Sequence, residues 1–291
     1  LRFMEANLSG VGGIHYGPIA AELVMRDIVP TLQAHDPELS IELPRDQREL
    51  FLQSVLDHAE AIGRRGANLC FLEQKHVMGG TNEQASLTRF LQSRHAGSIV
   101  HADPRELRLV GDEVFYEDVR VDVAYRDFET RDLIALAESE HADFAAVRAL
   151  FRQNRMVSSI GGDFDHKSCC ELLTDDTLAK RHFTAEECRI FDRHILWTRV
   201  VSDRRTGLPR GEGDLLEFVR SNRDALVLKP NRGYGGNGIH LGRLTEQAQG
   251  DALIDRAVAL ADDPNQSFVV QTATGIPVHE FPVMDEAGRF H

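Results

Sequence analysis

The chain has 291 residues, 42% hydrophobic and 27% charged, globular proportions that exclude a disordered, collagen-like or coiled-coil protein. Lys plus Arg total 33 against 46 Asp plus Glu, a formal charge of −13, so a phosphate backbone would be repelled and nucleic acid is not an expected partner. Four cysteines (Cys70, Cys169, Cys170, Cys188) without a C-x-x-C pair exclude a disulfide scaffold, and no apolar run approaches the roughly 18 residues of a bilayer span, so a cytoplasmic protein without a membrane partner is expected.

In chain order, residues 1–8 read as a strand and 16–31 as an amphipathic helix with Ile19, Leu23 and Val24 on one side and Pro30 near its end. A helix over 46–65, a strand over 67–74, a helix opened by Thr81 and Gln84, a strand over 98–102, a turn region and an alternating strand over 120–128 follow. That alternation predicts α/β architecture. A helical tract over 131–152 leads to Gly161 and Gly162, and a second opens near Asp165, with a capping box at Thr184 and Glu187. Residues 198–214, rich in Arg and Gly, read as a mobile loop. The remainder reads as strand, glycine-rich loop, strand, helix, strand, strand. Breaks near 35 and 156 divide the chain into 1–34, 35–155 and 156–291, with the outer two expected to form one domain around the middle one. The chain begins at Leu1 without a methionine and stops at His291 just after a turn, and both ends are expected to be incomplete.

The most informative run is LVLKPNRGYGGNGIHLG, residues 226–242, in which apolar strands flank a loop holding Lys229, Arg232 and the glycines Gly233, Gly235, Gly236 and Gly238 around Tyr234. Glycines let backbone N–H groups turn toward phosphate oxygens, and a nearby lysine adds a compact positive charge. The plain alternative is a hairpin with a flexible tip. Gly233, Gly235 and Gly238 match G-x-G-x-x-G, but a dinucleotide fold needs a helix next, and IHLGRL reads as a strand. No Gly-Lys pair followed by Ser or Thr provides a Walker loop, and Lys229 precedes its glycines where a protein kinase lysine follows them. Thirteen histidines form no H-E-x-x-H or comparable cluster and read as solvated or packed.

Strand, lysine, glycine lid, strand resembles the ATP-grasp superfamily. The resemblance implies that Lys229 contacts nucleotide phosphates and that the 233–238 lid closes over them. It makes the backbone around Gln271, Thr272 and Ala273 the hinge that meets the adenine edge, puts Glu280 on the next strand, and places Lys167, in GGDFDHKS, where the family's first nucleotide-contacting lysine falls. Without the resemblance, Lys167 reads as an exposed lysine in a first helical turn, and Asp163 and Asp165 as helix caps.

The family's Glu-x-Asn magnesium signature, normally after the hinge, appears here at the start, in RFMEANLSG. Glu5 and Asn7, two apart on an expected strand, would leave one face and offer oxygens to one Mg²⁺; a solvated strand end is the alternative. This order resembles the circularly permuted ATP-grasp proteins, a group that includes glutathionylspermidine synthase. It implies an α+β ATP-grasp domain with an inserted α/β substrate-type domain, ATP and Mg²⁺ as cofactors, and a further acidic ligand that would fall upstream of Leu1. The activity implied is ligation of a small-molecule carboxylate to an amine through an acyl phosphate, with Lys167 and Lys229 as the catalytic charges. The substrate would be a small peptide, amino acid or polyamine, in contact with Ser9 and Gly10. Arg126, ending a strand, could clamp a substrate carboxylate or form a surface ion pair with Asp127 or Glu129. An ATP-binding regulatory or scaffold protein without turnover, and a kinase acting on a hydroxyl, are the competing readings.

Overall fold

Asp46 accepts a hydrogen bond from Arg48 N (2.9 Å) and so caps a helix whose Leu52, Val55 and Ala59 recur on one buried face. This is α3 (Gln47–Ala61), part of a unit of Asn7–Asp165; Leu1–Ala6 and His166–His291 form a second unit. The structure is a computed structural model and describes residues 1–75, 83–233, 235–263, 265–275 and 289. Thr81, Tyr234 and Glu280, and the last expected strand, lie outside the described residues.

The Asn7–Asp165 unit begins with α1 (Tyr16–Leu23), a π-helical turn (Val24–Ile28) and α2 (Val29–His35). The single helix expected over 16–31 is thus divided, and Pro30, which has no N–H to give, stands in the first turn of α2 instead of near a helix end. After α3 come β1 (Leu69–Glu73), α4 (Glu83–Gln92) and β2 (Ile99–Ala102), then β3 (Leu107–Val110), β4 (Glu113–Tyr116), β5 (Val119–Val121), β6 (Val123–Asp127), α5 (Thr130–Glu140), α6 (Ala145–Arg152) and β7 (Met156–Val157). Strands β2-β1-β6-β7 form a parallel sheet in that order, and β3-β4-β5 an antiparallel meander where the sequence reads as a turn region.

The strand expected over 120–128 divides at Asp122, which is buried and accepts hydrogen bonds from Asn68 N (2.9 Å) and Arg64 Nη1 (3.2 Å). That carboxylate hands the chain from the meander to the parallel sheet. Strands β1 and β6 are apolar on both faces because both are covered. Leu69, Phe71, Val123 and Tyr125 pack with Leu52, Val55, Leu87 and Leu91 of α3 and α4, while Cys70, Leu72 and Ala124 pack with Leu133, Val147 and Leu150 of α5 and α6. Each such buried side chain contributes about 1.5–3 kcal/mol.

The second unit contains α7 (Cys169–Thr174), α8 (Asp176–His182), α9 (Ala185–His194), β8 (Thr198–Val200), β9 (Arg205–Leu208), β10 (Gly211–Asp214), α10 (Leu215–Ser221), β11 (Leu226–Pro230), β12 (His240–Leu241), α11 (Gln247–Ala259) and β13 (Phe268–Thr272). The Thr184 and Glu187 capping box opens α9 through both reciprocal bonds. Residues 198–214, read from the sequence as a mobile loop, instead supply β8 and the β9–β10 hairpin. An antiparallel sheet runs β12-β11-β13-β8. Leu226, Leu228, Phe268 and Val270 face α10 and α11, packing with Leu215, Val219, Ile254 and Ala257. Because side chains alternate along a strand, Lys229 and Gln271 project from the other face.

The strand expected at the N-terminus does not form. Among the described residues only Phe3 pairs, in an isolated parallel bridge with Ile195, and Phe3 N donates to His194 O at 2.7 Å. Among the described residues no helix is long and apolar enough to cross a membrane.

Candidate functional site

Lys229, in β11, is 7% exposed, and among the described residues its ammonium has one hydrogen-bond partner, Oε1 of Gln271 at 2.8 Å. An ammonium carries three donors, so two remain to be satisfied. Burial pushes the Lys229 amine below the ordinary lysine range; the carboxylate of Glu5 opposes this shift, and the like charge of Lys167 adds to it. A buried cation in this condition is stabilised by an incoming anion.

Around it stand the other groups that the sequence picks out in this unit. Lys167 is buried, not exposed as its plain reading had it; its Nζ donates to Gly233 O at 2.8 Å and lies 3.4 Å from Glu5 Oε2. Asn231 secures that arrangement, its carbonyl accepting from Lys167 N (3.2 Å), its side chain accepting from Ser168 N (2.8 Å) and donating to Ser267 Oγ (3.1 Å). The loop between β11 and β12 turns through Gly235, Gly236 and Gly238, all with positive φ. Gly238 is doubly constrained: its φ is +70°, and a Cβ there would lie 2.8 Å from Pro230 Cγ.

Beside these residues a cavity of about 300 Å³ is walled by Met4, Leu196, Val227, Ile239 and Leu241 and reaches Glu5, Lys229, Gln271 and residues 272–274. Its size and apolar walls suit a flat heteroaromatic ring. Two N–H groups of the expected hinge are already engaged: Thr272 N donates to Trp197 O (2.9 Å) and Ala273 N to Ala225 O (2.8 Å). A base seated there would be held by the cavity walls and not by those two donors. A larger cavity of about 730 Å³ is lined by Asp175, Trp197, Arg199 and Glu212 among others. Its central charges are already engaged: Asp175 accepts from Thr177 N and Leu178 N, and Arg199 donates to Thr174, Thr198 and Thr206. The smaller cavity, which holds the underbonded cation, is the stronger candidate.

Of the proposed metal pair, Glu5 groups with Lys167 and Lys229, and Asn7, two residues on, falls in the other unit; residues 4–8 are not a strand, so a shared strand face does not support the pair. Among the described residues no group of three His, Cys, Asp or Glu could hold a metal ion.

The substrate candidates lie in the Asn7–Asp165 unit. Ser9 Oγ is 3.5 Å from Asp165 Oδ2, and Gly10, with φ +59°, packs so closely on Asp127 that a Cβ would lie 2.7 Å from its Oδ1. Arg126 requires correction on both of its readings. It is 0% exposed, and its guanidinium donates to Ser158 O (3.0 Å), Phe128 O (2.9 Å), Ser159 O (3.1 Å) and Asp163 Oδ1 (3.1 Å). Its ion-pair partner is Asp163, not Asp127 or Glu129, and it braces the 158–163 segment instead of facing a ligand. Asp163 accordingly serves that brace.

Sequence reasoning missed the side chain of Gln271, treated as hinge backbone, and Thr198 beside it. Strand parity was the available signal, since Lys229 and Gln271 alternate with the core residues Leu228 and Val270.

No protein-family model matches the chain, and no curated protein matches it. Among solved structures it is similar to a glutathione synthetase-like effector from Globodera pallida in its apo form, with a TM-score of 0.57 and 11% sequence identity over 94% of this chain and 55% of that one. The likeness is one of fold. This chain spans about half the length of that protein.

Proposed function

We propose that the Leu1–Ala6 and His166–His291 unit binds ATP as a circularly permuted ATP-grasp domain, and that the protein is an ATP-dependent ligase joining a small-molecule carboxylate to an amine. The observation that carries this reading is the buried Lys229 ammonium, with one hydrogen-bond partner among the described residues, at the edge of an apolar cavity and beside a positive-φ glycine loop. The strand–lysine–lid–strand order and the fold likeness to a protein named glutathione synthetase-like support it.

The residues fit the groups this reading requires. An underbonded ammonium suits phosphate oxygens, and Glu5 offers a carboxylate to Mg²⁺, which takes one or two protein carboxylates and completes its shell with phosphate oxygens and water. ATP supplies the phosphoryl group that turns a carboxylate into an acyl phosphate, from which an attacking amine releases phosphate as the amide forms. Within that chemistry Lys229 and Lys167 neutralise charge on the phosphate oxygens from fixed positions, a preorganised contribution of several kcal/mol. The Gly235–Gly238 backbone, with Asn237 its one side chain, covers the phosphates and excludes water. Met4, Val227 and Leu241 hold the base.

The test is ADP release by the full chain against pools of amino acids, peptides and polyamines. Release that requires both a carboxylate and an amine is the expected result. ATP binding without release in any pool would favour a regulatory or scaffold protein, and a phosphorylated alcohol would favour a kinase; either overturns the ligase reading.

A further inference from the structure

Gln271 is 1% exposed and joins three parts of its unit. Its Oε1 meets Lys229 Nζ at 2.8 Å, and its Nε2 donates to Met4 O at 3.0 Å and to Thr198 Oγ1 at 2.9 Å. The amide has one possible orientation. Met4 O can only accept, and the Thr198 hydroxyl already gives its proton to Leu196 O (2.9 Å), so Nε2 must face both and Oε1 must face the lysine. Met4 directly precedes Glu5, whose carboxylate lies 3.4 Å from Lys167 Nζ. A continuous set of polar contacts therefore runs from Lys229 through one side chain to the backbone that carries Glu5.

We propose that Gln271 is a positioning residue that aims the Lys229 ammonium and ties its direction to the seating of residues 4 and 5, so that the lysine side and the carboxylate side of the site form together. The inference rests on the nucleotide reading and adds the side chain of Gln271, which lines the cavity beside Lys229. By occupying one of the three ammonium hydrogens, Oε1 fixes where the other two point. By donating to Met4 O, Nε2 lets that direction persist only while the N-terminal segment is in place. Gln271 also lines the cavity and bonds Met4 O, so a merely structural glutamine would weaken base and phosphate binding alike; a positioning glutamine acts chiefly through Lys229 and weakens the phosphate side more.

The experiment compares the affinities of ATP and adenosine, by titration calorimetry in the presence of Mg²⁺, for the full wild-type chain, Gln271→Met and Gln271→Glu. Gln271→Met removes both ends of the connection; it is expected to weaken ATP tenfold or more and adenosine less than threefold, and to shrink the effect of Glu5→Gln on ATP affinity relative to its effect in the wild type. Gln271→Glu keeps an acceptor for Lys229 but loses both donors, and gives the same contrast should the methionine variant not fold. Unchanged ATP affinity in either folded variant, or equal weakening of ATP and adenosine, overturns the inference while leaving the nucleotide reading intact. A wild-type chain that binds no ATP overturns the nucleotide reading and this inference with it.

Discussion

The ammonium of Lys229 and the side-chain oxygen of Gln271 meet 2.8 Å apart on adjacent strands of the antiparallel sheet, 42 residues apart in sequence and both buried. Among the described residues this pairing leaves the Lys229 ammonium, at the edge of a cavity, with one of its three donors engaged. A protein that maintains such a group forgoes stability unless an anion completes it.

Replacing Lys229 by Met should therefore separate binding from stability. ATP affinity is expected to fall at least about 30-fold, as when one partner of a desolvated charge contact is removed. The melting temperature without nucleotide is expected to equal or exceed that of wild type, because a partly unsatisfied buried charge is gone. Calorimetric titration and thermal melts of the same preparations check both.

Arg126→Leu should behave in the opposite way, as a stability change in the Asn7–Asp165 unit. It strands the Asp163 carboxylate and the carbonyls of Ser158, Ser159 and Phe128, a loss of about 3–5 kcal/mol by comparison with other broken buried ion pairs. Urea denaturation followed by circular dichroism measures it. A change below about 1 kcal/mol would contradict the bracing role.

Asp127 gives a pH dependence with a defined sign. Burial pushes its carboxyl above the ordinary range; the Gln84 amide opposes the shift, the carboxylates of Glu73 and Glu83 add to it, and His101 opposes it. The folded state thus holds this proton more tightly than the unfolded chain, so its contribution is fully present below the unfolded value of about 3.9 and is lost as pH rises through the raised folded value. Asp127→Asn is expected to flatten the stability profile across that window and to leave the variant relatively more stable at neutral pH. Denaturation midpoints for both proteins across acidic to neutral pH provide the check.

Gly238→Ala should impair the loop more than its size suggests. The residue must keep φ near +70° with a Cβ 2.8 Å from Pro230 Cγ, and the left-handed conformation alone costs roughly 1–2 kcal/mol. A fall in ATP affinity of about tenfold, with adenosine affinity nearly unchanged, is the expected calorimetric result.

What could be read from the sequence was local. Asp46 and the Thr184–Glu187 box announce their helices because a cap involves residues two or three apart, and the glycine run announces a turn because glycine alone takes positive φ cheaply. The meander over β3–β5 was also local, with Gly111 and Asp112 punctuating two alternating runs, and was missed because the expected strand at 120–128 absorbed its last member. The contacts that define the site were not local. Gln271 reaches Met4 across 267 residues, and the burial of Arg126 depends on a segment 32 to 37 residues downstream. An arginine at a strand end looks the same in sequence whether it meets a ligand or a run of carbonyls. Among the described residues the expected strand at residues 1–8 reduces to one bridge, with Ile195, so apolar alternation had no ladder there to join.

The central claim is that Lys229 is held for a nucleotide phosphate, and titration calorimetry of the full chain with ATP in the presence of Mg²⁺ tests it most directly. One saturable binding event is predicted in wild type, weakened at least about 30-fold by Lys229→Met. Absence of binding at millimolar ATP, or an unaltered affinity in a folded Lys229→Met protein, would contradict the account.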